Sequence, residues 1–166
     1  MDAILSRRSI RKYEQGIIAQ EDIDLILECA MAAPSAGNQQ SWHFLVIKDS
    51  NLREQISKIL PNSEMLPEAA LAIVVCGDRS IELYPDYWVQ DCSAASENIL
   101  LAAHALGYGA VWVSVYPRID RILPVKKLLD LPEGVMPLNV ISIGIPNETK
   151  EVHTGLIAEK IHYDRW

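Results

Sequence analysis

Ala70-Leu71-Ala72-Ile73-Val74-Val75-Cys76 is a continuous apolar run of strand length. A strand without polar alternation is one covered on both faces. Helices layered on a buried sheet follow from it. Upstream, residues 43–48 are apolar enough for a second buried strand. Residues 51–60 read as a helix with Leu52, Ile56 and Ile59 inward, and Pro61 stops it. Closer to the start, residues 2–8 read as a short helix and residues 10–13 as extended chain. Gln20-Glu21-Asp22 then opens a helix with an apolar stripe of Ile23, Ile26, Leu27 and Ala30, which Pro34 ends. Downstream, residues 87–106 carry the longest helical pattern. From Ala94 onward it is small or apolar around most of its circumference, so it is buried on several sides, and a subunit partner is expected to cover Ala94, Ala95, Ala102, Ala103 and Ala105. Gly107 and Gly109 stop it; residues 110–115 read as a strand, 118–129 as a helix and 136–144 as the last strand.

The length of 166 residues fits one domain, residues 1–166, large enough to bury a core without metal or disulfide. With 49% hydrophobic and 22% charged residues the composition is that of a soluble globular protein, and no apolar run reaches membrane-spanning length. The start lacks the apolar core of a signal peptide. A net charge of −7 argues against nucleic-acid binding, which demands a basic face. Cys29, Cys76 and Cys92 lie in apolar segments without metal-like spacing and read as reduced core residues of a cytoplasmic protein. His43, His104, His153 and His162 have no acidic residue at ligand spacing, so no metal site is expected. Asp91, at a helix start, reads as an acid facing the helix dipole.

Two clusters stand out against this background. Arg7-Arg8-Ser9-Ile10-Arg11 sets three guanidiniums and a hydroxyl within five residues, and Arg forks match phosphate oxygens bidentately. A solvated helix end with surface ion pairs accounts for them equally well. The run Ala33-Pro34-Ser35-Ala36-Gly37-Asn38-Gln39-Gln40-Ser41-Trp42-His43-Phe44 puts small residues, amides and a Pro/Gly break before an apolar strand, where a flat ring approaches backbone closely. An ordinary helix-to-strand loop has the same composition. Together they look like a site for a phosphorylated flavin.

Four segments in order, RRSIRKY, APSAGNQQSWHF, DCSAASENILLAAHALGYGAVW and GIPNE…KIHYDRW, give the chain a resemblance over nearly its whole length. It resembles a short member of the nitroreductase family of FMN-dependent oxidoreductases. The resemblance implies an α+β fold: a central mixed β-sheet flanked by helices, with a C-terminal arm exchanged in a homodimer. It also implies FMN as cofactor, NAD(P)H as electron donor, and a small-molecule acceptor such as a nitroaromatic or quinone, served by ping-pong hydride transfer.

By position, the resemblance assigns Arg7, Arg8 and Ser9 to the phosphate and ribityl chain, and Arg11 to the pyrimidine end of the ring. Pro34, Ser35, Ala36, Asn38 and Gln40 match the segment that reaches the flavin from the second subunit. Ser114 and Val115 fall at the strand end over the ring, where main-chain N–H groups face N5; Arg11 and Ser114 are the catalytic candidates. The chain departs from the family pattern at Ser41, where a Pro is usual, at Val115, often Gly, and at Gly155, near the place of a basic phosphate ligand. Lys150 or Lys160 is the substitute. Two rivals remain: a specialised flavoenzyme on the same scaffold, and a non-catalytic flavin-binding protein.

Overall fold

The computed structural model describes residues 2–152 and 155–166. The elements follow as α1 (Asp2–Ser6), β1 (Tyr13–Glu14), α2 (Gln20–Met31), β2 (Trp42–Ile47), α3 (Ser50–Ile59), β3 (Leu71–Asp78), α4 (Trp88–Ala105), β4 (Gly109–Ser114), α5 (Ile119–Leu128) and β5 (Val135–Pro146). Short 3-10 turns sit at Ala36–Asn38 and Ala158–Lys160.

The apolar run Leu71 to Cys76 is buried throughout and its side chains divide by parity. Leu71, Ile73 and Val75 pack with α2 and α4, through Ile23, Ile26, Cys92, Ala95 and Ile99. Ala72, Val74 and Cys76 pack on the opposite side with Ile56 of α3 and Ile122 and Val125 of α5. Each fully buried Val, Leu or Ile contributes about 1.5–3 kcal/mol, so the sheet between two helical layers is the main source of stability. Burial also pushes the Cys76 thiol up to about 12, which leaves it an unreactive core group.

The class is α+β, and all the strand ladders are antiparallel. Ile143 of β5 pairs with both Leu71 of β3 and Ala110 of β4, so β5 is a central strand with β3 and β4 on opposite edges. β2 pairs with β3, and β1 adds two residues at the end of β5. β3 and β4 run the same way but β5 lies between them, so the expected mixing of strand directions shrinks to one isolated parallel bridge, Ser9 with Ala110. The register of β3 against β5 shifts between Val75 and Cys76, skipping Leu138. That bulge lets Leu138, Ile141 and Ile143 all face the α2/α4 layer despite their mixed parity.

The first helix stops at Ser6, two residues earlier than the expected 2–8. A five-residue helix is below cooperative length, and its last side chain, Ser6, donates back to the Asp2 carbonyl at 2.6 Å. The chain then runs along β4, where Ile10 N donates to the Ala110 carbonyl at 3.0 Å. Gly109 permits this approach, since a Cβ there would lie 2.7 Å from the Ile10 side chain. In α3 Ile56 is fully buried, Leu52 and Ile59 pack half-buried on the same core, and Arg53 is unexpectedly buried as well, donating to the carbonyls of Leu66 at 3.0 Å and Lys48 at 2.7 Å. Among the described residues no helix is long and apolar enough to cross a membrane.

Candidate functional site

Leaving α1, the chain lays Arg7, Arg8, Ser9 and Arg11 along the free edge of β4. Arg7 forms an ion pair with Glu97 of α4, Nε to Oε1 at 3.4 Å, without hydrogen-bond geometry. Arg8 donates Nε to the Glu151 carbonyl at 2.8 Å and Nη1 to Leu5 at 3.2 Å. Arg7 Nε and Arg8 Nη2 are buried N–H groups without a hydrogen-bond partner. Guanidinium N–H groups without hydrogen-bond partners are a fit for phosphate oxygens, although Arg7 Nε is also ion-paired with Glu97. Beside them Lys150 donates to the Ser9 carbonyl at 2.6 Å, and it shares a cleft of about 250 Å³ with Arg8, His104 and Glu148. Of the two expected lysines, Lys150 joins the arginine cluster and Lys160 has no recorded side-chain partner among the described residues. Gly155 is exposed, and a Cβ there would meet nothing within 4 Å among the described residues.

Arg11 differs from its neighbours. Its backbone N–H is fixed by Glu148, whose Oε1 also accepts from Lys12 at 3.2 Å. The guanidinium has no hydrogen bond or ion pair among the described residues and lines a cleft of about 340 Å³ with Trp112, Ser114 and Arg121. The Arg11 backbone N–H, and after it Lys150, hold the Glu148 carboxyl below its ordinary 4.5. A lowered carboxyl stabilises the fold above the ordinary value and loses that contribution as pH falls through its own lower value. Glu148→Gln is therefore expected to lower Tm at neutral pH, with the gap to wild type narrowing as the pH falls below the ordinary 4.5 in thermal melts. A gap that stays constant across the acid range refutes the assignment.

Ser114 and Val115 part company. Val115 is fully buried and its N–H is spent on the Leu138 carbonyl at 3.0 Å. In this chain that N–H is directed at β5 and not at the open edge. Donors alternate along an antiparallel strand, so with Val115 bonding toward β5, the Ser114 N–H points to the open edge, as the Ala110 carbonyl does. Ser114 Oγ accepts from Trp112 Nε1 at 3.0 Å, and its carbonyl accepts from Arg121 Nη1 at 3.0 Å. Arg121, from α5, brings a second cation into the Arg11 cleft. Nothing local in the sequence marks it, since only the return of α5 over the sheet places it there.

The second cluster is a clamped loop. Pro34 is exposed, and Ser35 Oγ accepts from Gln40 N at 3.0 Å. Ala36 begins the 3-10 turn, followed by Gly37, Asn38 and Gln40 at φ 53°, 57° and 47°. Left-handed backbone at Asn and Gln costs about 1–3 kcal/mol each, so contacts must hold it. Asp91 supplies them. It does stand in the first turn of α4, but its buried carboxylate accepts from Ala36 N at 2.9 Å and Gln39 Nε2 at 2.6 Å. Gln39 was not among the expected site residues. Its Oε1 accepts from Leu83 N at 2.9 Å and Tyr84 N at 3.0 Å.

A single chain does not bring the two clusters together. Asp91 holds the loop at the start of α4, while His104, bonded to Ser6 at 2.7 Å, ties the arginine segment to its end. Thirteen residues of helix separate them, a rise of about 20 Å. Toward the end of α4, Ala102 and Ala105 line a shallow apolar cleft with Ala3, Cys29, Ala32 and Leu101, whereas Ala95 and Ala103, also expected under a partner, are buried in the chain's own core. Leu156, Tyr163 and Trp166 of the tail are 82%, 83% and 100% exposed. Of the histidines, His43 lies 3.7 Å from Asp78 and His162 stacks on Trp166; His153 lies outside the described residues.

The sequence profile of the nitroreductase family matches residues 4–63 and 59–145. The chain belongs to the nitroreductase family. A protein of Archaeoglobus fulgidus named "Putative NADH dehydrogenase/NAD(P)H nitroreductase" is 47% identical over 98% of this chain and 96% of its own length. Among solved structures, an FMN-dependent nitroreductase from Clostridium difficile R20291 is 31% identical, with TM-score 0.93 and full coverage of both chains. NADPH:FMN oxidoreductase from Vibrio harveyi, solved in complex with NAD+, is 28% identical with TM-score 0.88, covering 99% of this chain and 76% of that one. The α+β sheet described above is thus the nitroreductase fold. Ser41, where a Pro is usual, is fully buried; its carbonyl accepts from Asp78 N at 2.7 Å, a bond that a Pro makes equally, and its hydroxyl has no hydrogen-bond partner among the described residues.

Proposed function

We propose that the chain is an FMN-dependent NAD(P)H oxidoreductase in which residues 1–166 form one FMN-binding domain and two copies make two sites at their interface. The observation that carries this reading is the separation of the two clusters along α4, with the Arg11 guanidinium unpaired among the described residues at one and Pro34, Asn38 and Gln40 exposed at the other. Arg7, Arg8, Ser9, Arg11 and Ser114 of one copy face Pro34, Ser35, Ala36, Asn38 and Gln40 of the other. The apolar cleft on α4 and the exposed tail aromatics supply the surface for that pairing.

Arg7 and Arg8 meet the phosphate with their orphaned donors, and Lys150 takes the part of the family's missing tail cation. Arg11 and Arg121 would supply positive potential to the pyrimidine end of a bound flavin, and the outward N–H of Ser114 would serve as a main-chain donor to its ring. When bound, FMN supplies the redox chemistry, taking a hydride from NAD(P)H and passing the electrons to an electron-poor acceptor such as a nitroaromatic or quinone in a ping-pong cycle. With no long insertion over the site, acceptor choice is broad. Three cysteines without disulfides fit a reducing, cytoplasmic setting.

Absorbance of the FMN-reconstituted protein under anaerobic conditions tests the reading. Bleaching near 450 nm on addition of NADPH or NADH is the expected result (~450 nm being the flavin band). A yellow protein that stays yellow with both donors is a flavin-binding module instead, and a protein that retains no FMN removes the assignment altogether.

A further inference from the structure

Asp91 is an acid without a cation. It is 3% exposed, and its side chain's only hydrogen-bond partners among the described residues are Ala36 N and Gln39 Nε2. A buried carboxylate held by neutral donors alone is costly unless both oxygens are well used. Here both are used on one loop, and that loop runs through three left-handed residues, Gly37, Asn38 and Gln40. Gln39 extends the network, because its carbonyl side receives Leu83 N and Tyr84 N. The amide orientation is thereby fixed: two N–H donors face its oxygen and a carboxylate faces its nitrogen. The Tyr84 ring then lies over Gly37, where a Cβ would be 2.2 Å from Cε2. Helix α4, the 36–40 loop and the 83–84 segment are locked into one body by two side chains.

We propose that Asp91, acting through Gln39, is the positioning residue that holds the 36–40 loop in the shape presented to the partner's flavin. The inference rests on the proposed intersubunit FMN site for its binding consequence, and on the hydrogen-bond network alone for its local one. The polarity of the pair makes it testable by exchange. In Asp91→Asn the new amide nitrogen faces the Gln39 nitrogen, donor against donor, and turning Gln39 over sets its nitrogen against Leu83 N and Tyr84 N. In Gln39→Glu two carboxylates face each other. In the double variant D91N/Q39E every bond returns. The amide introduced on α4 offers its oxygen to Ala36 N and its nitrogen to the carboxylate introduced on the loop, whose other oxygen accepts from Leu83 and Tyr84. Net charge and volume are unchanged.

Two measurements on the purified full chain decide it: the FMN dissociation constant by quenching of flavin fluorescence, and amide hydrogen exchange of Ala36, Leu83 and Tyr84. Each single variant is expected to weaken FMN binding at least ~10-fold and to speed exchange at those amides, and the double variant to recover both. If Asp91→Asn does not fold, Gln39→Ala, at a half-buried position, carries the same expectation. Faster exchange with unchanged FMN affinity makes the network merely structural and overturns the positioning role. So does a double variant no better than the singles, or a single variant that leaves both readouts at wild-type values. Failure of the wild type to bind FMN strikes the functional reading instead, and takes the positioning role with it, leaving exchange to judge the clamp.

Discussion

Deleting residues 157–166 is expected to turn a stable dimer into a monomer that has lost FMN, with cofactor affinity down at least ~100-fold. The removed segment carries Ile157, Tyr163 and Trp166, all exposed on the single chain. Buried aromatic anchors contribute about 2–4 kcal/mol each at an interface, and the stacked His162–Trp166 pair is preformed at 4.3 Å between centroids. Interfaces of obligate dimers commonly bury upward of about 2,000 Å², so on the proposed dimer the arm is expected to add to the contact made by the apolar cleft on α4. On the proposed intersubunit site, with the two clusters at opposite ends of α4, loss of the partner removes half the ligands. Sedimentation velocity with and without FMN reads both effects. A truncated chain that remains dimeric and yellow refutes the exchanged arm, and a full-length chain that is monomeric yet binds FMN refutes the intersubunit site.

What the sequence made legible follows from how local each feature is. The run Leu71 to Cys76 declared a strand buried on both faces because its own side chains carry the pattern, and the structure divides them by parity between two helical layers. Helix α2 was readable from its stripe, with Ile23, Ile26 and Ala30 buried as spaced. The direction of strand pairing was not readable, because β5 enters between β3 and β4 and no local pattern encodes that insertion. The same limit governs the site. Arg7 to Arg11 is one contiguous segment and its clustering survives folding. Arg121 reaches the cleft only through the return of α5, and strand alternation turns the Val115 N–H to Leu138 and away from the open edge. Asp91 was visible as the acid of a helix start, but its partners lie about 50 residues upstream, beyond any spacing rule.

The sharpest consequence of this geometry is a division of labour among the arginines. Arg7→Ala and Arg8→Ala are expected chiefly to raise the FMN dissociation constant, roughly 10- to 100-fold each, since a charge-assisted bond contributes about 1.5–3 kcal/mol. Phosphate contacts are the same before and after reduction, so they provide uniform binding and leave the rate of the loaded enzyme near wild type. Arg11 stands apart. Its guanidinium is unspent and shares the Ser114 cleft with Arg121. If it faces the pyrimidine edge, it meets charge that exists mainly after hydride arrival, so its removal acts on the transition state. Arg11→Ala at saturating FMN is expected to slow reduction by NAD(P)H about 10- to 100-fold and to lower the flavin potential. Arg121 remains in the cleft and keeps the loss below that of removing all positive charge, so the double variant R11A/R121A is slower again. Stopped-flow absorbance on fully loaded variants measures each rate. If the Arg11 variant reduces at the wild-type rate while an equally loaded Arg7 variant is the slow one, the flavin lies along this segment in the opposite sense, with its ring toward α1 and its phosphate in the Ser114 cleft.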